Sequence, residues 1–171
     1  MSMISRDEFP YIGRREWDID PTKDAQLLSI STLRANGKKS SKLYIEDALH
    51  FSAEILVNHD INKMMVSFMI HDNWSQQYVS ATHTALYPEF PIKWKCGRYG
   101  VDVEFPQGII NCGEYYLRGG LGWKDEVRYD YHEEGLGFSI ISHDEIEPHS
   151  IHSHGMLAII PQYTLKDYWK R

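Results

Sequence analysis

Hydrophobic and polar residues alternate along several short segments of the chain, most clearly between residues 62 and 84. Val66, Phe68 and Ile70 alternate with Met65, Ser67, Met69 and His71. A period of two places the first set on one face of a strand and the second set on the other face. The alternation resumes at residues 78–82, after Asp72-Asn73 interrupts it. The pattern predicts flat sheet surface with one buried face and one open face.

Further segments of the same kind occur along the rest of the chain. Strands are predicted over residues 25–33, about 43–57, 99–105, 114–121, 135–141 and 155–160. Residues 84–98 contain Pro88 and Pro91 and predict a long loop with one helical turn. No segment of useful length has the i, i+3, i+4, i+7 pattern of a helix. The fold class expected is therefore all-β, an antiparallel β-sandwich of about eight strands.

The domain organisation follows from where this pattern begins. Residues 1–24 are polar, and Pro10, Gly13 and Pro21 interrupt any period. They are expected to form an irregular N-terminal segment or linker. Residues 25–171 are expected to form the β-sandwich domain, and 171 residues are enough for one domain with a substantial core.

Charge and cysteine content narrow the possible partners. The net charge is −6 and no basic cluster is present, so nucleic acid is not an expected partner. No apolar run approaches the roughly 20 residues that span a bilayer, and the N-terminus lacks the apolar segment of a signal peptide. We therefore expect a cytoplasmic location, with Cys96 and Cys112 as free thiols.

Histidines and glycines are the candidates for metal or phosphate chemistry. His149, His152 and His154 lie close together, but no acidic residue or cysteine stands at a recognised metal-site spacing. A solvated loop is the expected structure there, and neither a metal nor a cofactor is expected. Residues 119–122 resemble a phosphate loop but lack the following Lys-Ser/Thr. These glycines are expected to let strands approach closely or bulge.

Catalysis has little support in the sequence. Spacing singles out no carboxylate pair, and no motif places a nucleophile beside its base. An enzyme acting on sugars through His83 or His132 stays open as a less favoured alternative.

Aromatic residues supply the favoured hypothesis, because they form 13% of the chain. Sugars stack their C–H faces on aromatic rings, and planar polar side chains bind their hydroxyls. The predicted carbohydrate site has Tyr78, Thr82, Tyr116 and Arg118 on the open sheet face, with Trp74, Trp123 and Tyr129 in adjoining loops as rim residues. Arg118 would pair with hydroxyls or with an anionic terminal group. The main alternative is a sandwich whose open face binds protein, including its own copy.

The order of motifs resembles one known family. The motifs are Val66–Asp72 (VSFMIHD), Thr82–Thr84 (THT), Gly113–Leu121 (GEYYLRGGL), Asp130-Tyr131, Leu136–Ile140 (LGFSI) and Gly155–Leu157 (GML). The chain is similar over about residues 16–169 to the C-terminal carbohydrate-binding domain of Wzt, the nucleotide-binding subunit of O-antigen polysaccharide ABC exporters.

The resemblance implies an immunoglobulin-like β-sandwich that binds finished O-antigen polysaccharide, at its modified non-reducing end, before export. It also implies a homodimer, in some members through exchange of the terminal strand. The membrane and nucleotide-binding parts of an ABC transporter at the inner membrane would be its partners. Tyr115 matches an inward tyrosine and is expected to be structural, whereas His83 stands where members commonly have asparagine. The chain has no Walker A motif, so no ATPase activity of its own is expected.

Overall fold

The structure is a computed structural model that describes residues 12–143 and 162–167. Its eleven strands are β1 (Arg14–Glu16), β2 (Ala25–Leu33), β3 (Lys42–Tyr44), β4 (Leu49–Val57), β5 (Met65–Asp72), β6 (Tyr78–His83), β7 (Gly97–Phe105), β8 (Gly113–Trp123), β9 (Val127–Tyr131), β10 (Leu136–Ile141) and β11 (Gln162–Asp167). A 3₁₀ turn, Thr84–Leu86, follows β6. The strand predicted at residues 155–160 and the histidines at 149, 152 and 154 lie outside the described residues.

The strands form two sheets. One has five strands in the order β1-β2-β4-β7-β11, and the other has six, in the order β3-β10-β8-β5-β6 with β9 paired to β8. All pairs are antiparallel except β3 with β10, which is parallel. The all-β sandwich is confirmed, with eleven strands instead of about eight.

Part of the difference in strand number arises between residues 42 and 57, where one long strand was predicted. Two strands are present, because the chain turns after Tyr44, where Asp47 N–H donates to the Tyr44 carbonyl at 3.1 Å. Strand β3 pairs with β10 in one sheet, and β4 pairs with β2 and β7 in the other. The chain therefore crosses between sheets here, and the prediction of a single strand over about 43–57 is wrong.

Strand β1 lies inside the segment that was expected to be irregular. Its three residues pair with Ser29–Ser31 of β2. The division of the chain at residue 24 itself stays a prediction.

The core lies between the two sheets and follows the alternation in the sequence. Val66, Phe68 and Ile70 are all buried, as the period of two predicted. Phe51 of β4 contacts Phe138 of β10 across the interface, with ring centroids 5.4 Å apart. No helix in the described part of the chain is long and apolar enough to span a bilayer.

Gly119 shows why glycines occur in the middle of β8. A Cβ atom at this position would lie 2.8 Å from Leu27 Cδ2 and 3.1 Å from Ile30 Cγ2. Any larger residue would push β8 away from β2, so glycine permits the close approach of the sheets. The role expected for this glycine is confirmed.

Asp130 joins the two sheets through polar contacts. Its carboxylate is almost fully buried and lies 2.6 Å from Lys23 Nζ. It also accepts the Leu27 N–H at 2.7 Å. Strand β2 has an irregular register between Leu27 and Ser29, and β1 ends opposite Ser29. The Leu27 N–H therefore lies beyond the end of β1, and it donates its hydrogen bond to the Asp130 carboxylate of β9 instead.

Further contacts extend this junction along the edge of the sandwich. His132 Nε2 lies 3.2 Å from Asp130 Oδ2, and its ring stacks on Trp17 at 4.1 Å. Arg15 donates to the Gly135 carbonyl at 2.9 Å and to Glu134 at 2.6 Å. The loop after β9 therefore contacts β1 through Arg15 and the segment after β1 through Trp17.

Tyr115 forms a tyrosine corner at the start of β8. Its hydroxyl donates to the Asn111 carbonyl at 2.8 Å, four residues upstream. Such a corner is a feature of immunoglobulin-like sandwiches. Burial raises the pKa of Tyr115 to about 12, with smaller contributions from Asp72 and Cys112. The structural role expected for Tyr115 is confirmed.

We predict that Asp130→Asn lowers the free energy of unfolding by about 2–4 kcal/mol. The change removes the buried carboxylate charge that pairs with Lys23, and it weakens the hydrogen bond from the Leu27 N–H. Urea denaturation measures this, with Asp125→Asn in the exposed β8–β9 turn as the matched control. Equal stability of the two variants would contradict the proposed junction.

We also predict that Tyr115→Phe lowers the free energy of unfolding by about 1 kcal/mol at neutral pH. Because the pKa is raised in the folded state, only the unfolded chain loses this proton as the pH rises above about 10, so folding stability falls there. The wild type should lose stability between about pH 10 and 12 more steeply than the variant. Parallel alkaline stability curves for the two proteins would contradict this.

Candidate functional site

The outer face of the six-stranded sheet carries a row of three rings in contact, which is called the stack below. Cross-strand partners share a face of a sheet, and His71 pairs with both Tyr78 and Tyr116. The His71 and Tyr116 rings are stacked at 4.7 Å with an interplanar angle of 5°. The Tyr78 ring lies 4.3 Å from His71 on the other side and is tilted by 41°. The stack therefore crosses β6, β5 and β8.

Arg118 lies in the next row of the same face. It pairs with Met69, which in turn pairs with Ala81. Its guanidinium carbon is 4.8 Å from the centroid of the Tyr116 ring. A cation over an aromatic face at this distance is attracted by the ring quadrupole, so Arg118 and Tyr116 form one unit.

Three glycines lie next to Tyr116 and Arg118. Gly137 of β10 is the cross-strand partner of Tyr116, and Gly120 follows Arg118 by two residues. A Cβ atom at Gly135 would lie 2.8 Å from Tyr116 Cδ2, so glycine there lets the tyrosine ring lie against the backbone. Gly120 is itself covered, since a Cβ atom there would lie 3.4 Å from Tyr131 Cδ2 and 3.8 Å from Met69 Cε.

Tyr116 is the anchor of the stack and not an exposed platform. Its side chain is almost fully buried, although it points to the outer face. Its hydroxyl donates to Gln76 Oε1 at 2.9 Å, and Gln76 Nε2 donates to the Asn73 carbonyl. Burial raises the pKa of Tyr116, while the Arg118 charge opposes that shift. The ring offered to a ligand is Tyr78, which is 59% exposed.

Thr82 does not lie on the outer face. It pairs with Phe68 and is buried, so it faces the core. The register shifts by one residue between Ile70 and His71, opposite Tyr78–Ser80. Such a shift exchanges the faces of every residue beyond it. The expectation that Tyr78 and Thr82 share a face is therefore wrong.

Trp74 is at the tip of the β5–β6 hairpin, close to the Tyr78 end of the stack. It is 70% exposed. Asp72 Oδ1 accepts the N–H groups of Trp74 at 3.0 Å and Ser75 at 2.6 Å, which fixes the turn.

Trp123 and Tyr129 belong to a separate group at the opposite end of the sheet. They lie in strands β8 and β9 and not in loops. Trp123 is seven residues from Tyr116, which corresponds to roughly 23 Å along a strand. Lys63 and Lys124 place their ammonium groups 5.8 and 5.6 Å from the Trp123 ring centroid, and Tyr129 donates to the Lys63 carbonyl at 3.2 Å.

Several buried polar side-chain atoms of the described residues lack a hydrogen bond of normal geometry. They are both ring nitrogens of His71, Nε of Arg118 and Nδ1 of His83 on the outer face, Oδ1 of Asn73 in the hairpin, and Nε1 of Trp123 at the other end of β8. His83 pairs with Ser67 on this face. Buried polar groups are usually satisfied, so each of these atoms marks a place where an ordered water or a small rearrangement would supply a partner.

Burial and the nearby Arg118 charge favour the neutral form of His71. Burial lowers the pKa of His71, the Arg118 charge lowers it further, and the Gln76 backbone opposes these effects. Burial also lowers the pKa of His83.

His71 and Gln76 were missing from the site predicted by sequence. The alternation did place His71 in the outward phase with Met69, and this was the available signal. Nothing in the sequence pointed to Gln76, because its role depends on a positive φ of 59° in the hairpin.

The alternative catalytic histidines lie in different settings. His132 contacts Asp130 and stacks on Trp17, so it belongs to the junction between the sheets. His83 is on the outer face. Within the described ranges, no three His, Cys, Asp or Glu side chains form a group that could hold a metal. Cys96 and Cys112 are both free.

We predict that Tyr116→Ala lowers the free energy of unfolding by about 3–4 kcal/mol, because it removes a buried ring and leaves Gln76 without its donor. Tyr78→Ala should cost less than about 1 kcal/mol, since Tyr78 is exposed. Chemical denaturation of both variants measures the difference. Equal stabilities would show that Tyr116 is not the anchor of the stack.

Comparisons with known proteins agree with this architecture. A solved structure, "Crystal structure of the C-terminal domain of wzt", is similar with a TM-score of 0.63 and 15% sequence identity, covering 83% of this chain and 90% of that chain. At this identity the likeness shows the fold alone. No curated protein sequence matches the chain. The family model of the Wzt C-terminal domain matches residues 20–159, and the chain therefore belongs to the Wzt C-terminal domain family.

Proposed function

We propose that this chain is a non-catalytic carbohydrate-binding domain that recognises O-antigen polysaccharide for ABC-transporter export. Membership of the Wzt C-terminal domain family supports this role. The observation that carries the proposal is the stack of Tyr78, His71 and Tyr116 on the outer face, with Arg118 over its inner ring. Rings of this kind suit the C–H faces of sugars.

Each residue of the site has a separate task in this proposal. The exposed Tyr78 ring stacks on a sugar, and Trp74 extends this apolar contact at the hairpin tip. Arg118 donates from its guanidinium to the polar edge of the same sugar. Planar guanidinium donors match paired oxygens, so Arg118 orients the ligand.

Trp123 and Tyr129 would contact a different part of a longer polysaccharide. Their distance from Tyr116, roughly 23 Å along the strand, exceeds the size of one sugar unit. Thr82 has no place in the site, because it faces the core.

Recognition, and not turnover, is the mechanism proposed. The domain would select the modified non-reducing end and hold it beside the membrane and nucleotide-binding parts of the transporter, at the cytoplasmic side of the inner membrane. A shallow site binds weakly, and a homodimer with two sites would raise the apparent affinity through effective concentration. In the described structure β11 pairs with β7 of its own chain, and exchange of this strand between two copies is part of the proposal.

A protein-binding face is the second candidate. The exposed side chains of Trp74 and Tyr78 favour it, since aromatic residues are enriched in protein interfaces. In that case the aromatic face would be buried between two copies, and no polysaccharide would bind.

We predict that Arg118→Ala weakens binding of the selected O-polysaccharide roughly tenfold or more, because a hydrogen bond to a charged group is lost. Tyr78→Ala should weaken it to a similar degree through loss of stacking. Amide chemical shifts during titration with a panel of O-polysaccharides measure both. Arg98→Ala, at an exposed position of β7 in the other sheet, is the control and should bind as the wild type does.

Saturable shifts confined to β5, β6 and β8 in the wild type are the expected result. Saturable binding that is unchanged in the Arg118 and Tyr78 variants would contradict the site. Absence of binding to every polysaccharide, together with a dimer that dissociates on Tyr78→Ala, would establish the protein-binding alternative.

A further inference from the structure

The turn between β2 and β3 carries a compact group of positive charges. Residues 25–45 contain four basic residues and no acidic residue, although the whole chain has 24 acidic and 18 basic residues. The four are Arg34, Lys38, Lys39 and Lys42, and the three lysines are exposed. No basic cluster was expected from the sequence, in which other residues separate these four, but the turn gathers them. We call these four residues the basic hairpin patch.

Hydrogen bonds hold this turn in a defined shape. The Arg34 N–H donates to the Lys38 carbonyl at 2.9 Å, and the Gly37 N–H donates to the Arg34 carbonyl at 2.8 Å. Gly37 has a φ of 79°, which glycine adopts readily. The Arg34 side chain donates to the Lys42 carbonyl at 3.2 Å, and its Cζ lies 5.2 Å from the centroid of the Tyr44 ring. Arg34 therefore fixes the turn on β3, and the lysines are presented on an ordered backbone.

The charges of the three lysines are not neutralised within the described part of the chain. The lysines that form ion pairs there are Lys23, Lys95 and Lys166. The nearest acidic residue along the chain is Glu46, and its carboxylate accepts the His143 N–H at 3.2 Å. Positive charge that is left without a partner on one surface attracts an anionic partner.

An exposed apolar side chain lies beside the basic hairpin patch. Ile12 is 79% exposed, and the next residue, Gly13, packs against the backbone of the turn. The Gly13 carbonyl accepts the Thr32 N–H at 3.0 Å, and a Cβ atom at Gly13 would lie 2.2 Å from the Ser40 nitrogen. Because glycine permits this close approach, Ile12 is held at the margin of the patch.

The composition of the patch distinguishes between classes of partner. The residues between the basic side chains are all small, namely Ala35, Asn36, Gly37, Ser40 and Ser41. Protein interfaces are depleted in lysine and are anchored by large aromatic residues and arginine, so this patch is a poor match for a protein. An anionic lipid surface needs no pocket, because lysines close to it are attracted to the headgroups and an apolar side chain enters the interface.

Protection of a sheet edge is the other role that lysines have in such a place. It accounts for Lys42, which lies in the edge strand β3. Lys38 and Lys39 precede that strand, so edge protection leaves them unexplained.

We propose that the basic hairpin patch and Ile12 bind the surface of an anionic lipid bilayer. The inference goes beyond the proposed function and does not depend on glycan binding. The net charge of −6 does not prevent such contact, since charges more than roughly 10 Å apart are largely screened at about 0.1 M salt.

Contact with a bilayer at this place leaves the candidate glycan site accessible. Strand β3 is at one edge of the six-stranded sheet, and β6, which carries Tyr78, is at the other edge. At the usual spacing of strands, the two edges are roughly 19 Å apart. The domain could therefore contact lipid through one edge and a polysaccharide near the other.

The experiment measures sedimentation of the whole chain with lipid vesicles at low ionic strength. One set of vesicles is phosphatidylcholine alone, and the other is equal parts of phosphatidylcholine and phosphatidylglycerol. The chain should bind only the anionic vesicles, and added salt should release it, because screening weakens the attraction. Equal binding to both sets, or binding to neither, would overturn the proposal.

A variant without the lysine charges assigns the binding to the patch. The triple variant Lys38→Gln, Lys39→Gln, Lys42→Gln should bind anionic vesicles at least roughly thirtyfold more weakly, since each lysine near such a surface contributes roughly fivefold. Its unfolding midpoint should stay close to that of the wild type, because the three side chains are exposed.

The matched control makes the same change of charge around the Trp123 end of β8. It replaces three exposed lysines by glutamine, namely Lys63, Lys93 and Lys124. This variant should bind within roughly threefold of the wild type, because these lysines are remote from the bilayer in the proposed orientation. An equal loss of binding in the two triple variants would overturn the assignment to the hairpin.

Ile12→Ser tests the apolar part of the contact. It should weaken binding to anionic vesicles roughly three- to tenfold, because apolar surface no longer enters the interface. Salt does not screen this contribution, so the factor should be the same at low and moderate salt. Unchanged binding in this variant would exclude Ile12 from the contact.

Further measurements separate this inference from the alternatives and from the proposed function. Binding to duplex DNA without binding to anionic vesicles would assign the patch to nucleic acid and overturn the lipid contact. The hairpin triple variant should bind O-polysaccharide as the wild type does, and loss of both activities together would contradict two separate surfaces. Absence of polysaccharide binding in a wild-type chain that binds anionic vesicles would overturn the proposed function alone.

Discussion

The alternation of strand β8 between the core and the outer face is the constraint on which the rest of the structure depends. Leu117 and Gly119 face the five-stranded sheet, and Gly119 allows β2 to approach within contact distance. The residues between and beside them, Tyr116 and Arg118, face outward on the same backbone. Because β8 contributes side chains both to the core and to the candidate site, the packing of the core fixes the position of the site.

The hairpin between β5 and β6 then completes the site. The register shift at His71 brings Tyr78 to the outer face, and the bond from Tyr116 to Gln76 holds the turn against β8. A binding surface built on a paired strand needs little reordering when a ligand arrives, which favours even a shallow site. Asp130 fixes the two sheets against each other, and Tyr115 fixes the start of β8 from the core side.

Much of the fold could be predicted from the sequence, because a period of two directly reports which residues of a strand are buried. The structure buries Val66, Phe68 and Ile70, as the alternation predicted. Tyr115 has the structural role that was expected for it. The break after Tyr44 was missed, since both flanking segments look like strands. Only their pairing, one with β10 and one with β2, distinguishes them.

The site was harder to predict than the fold for two physical reasons. A one-residue register shift is invisible in the sequence, yet it sent Thr82 to the core while Tyr78 stayed outside. The alternation also does not determine how exposed an outward-facing side chain is. Tyr116 points outward but is covered by its neighbours, so the ring that was predicted to contact the ligand is the buried member of the stack. Trp123 was grouped with the site by composition, although it lies at the other end of β8.

The central claim is that a glycan lies across the outer face of the six-stranded sheet. Intermolecular nuclear Overhauser effects between a bound O-polysaccharide and the aromatic protons of the domain test it most directly. The account predicts contacts from sugar C–H protons to the Tyr78 ring and to the Arg118 side chain. Contacts confined to residues of the five-stranded sheet in a saturated complex would contradict it.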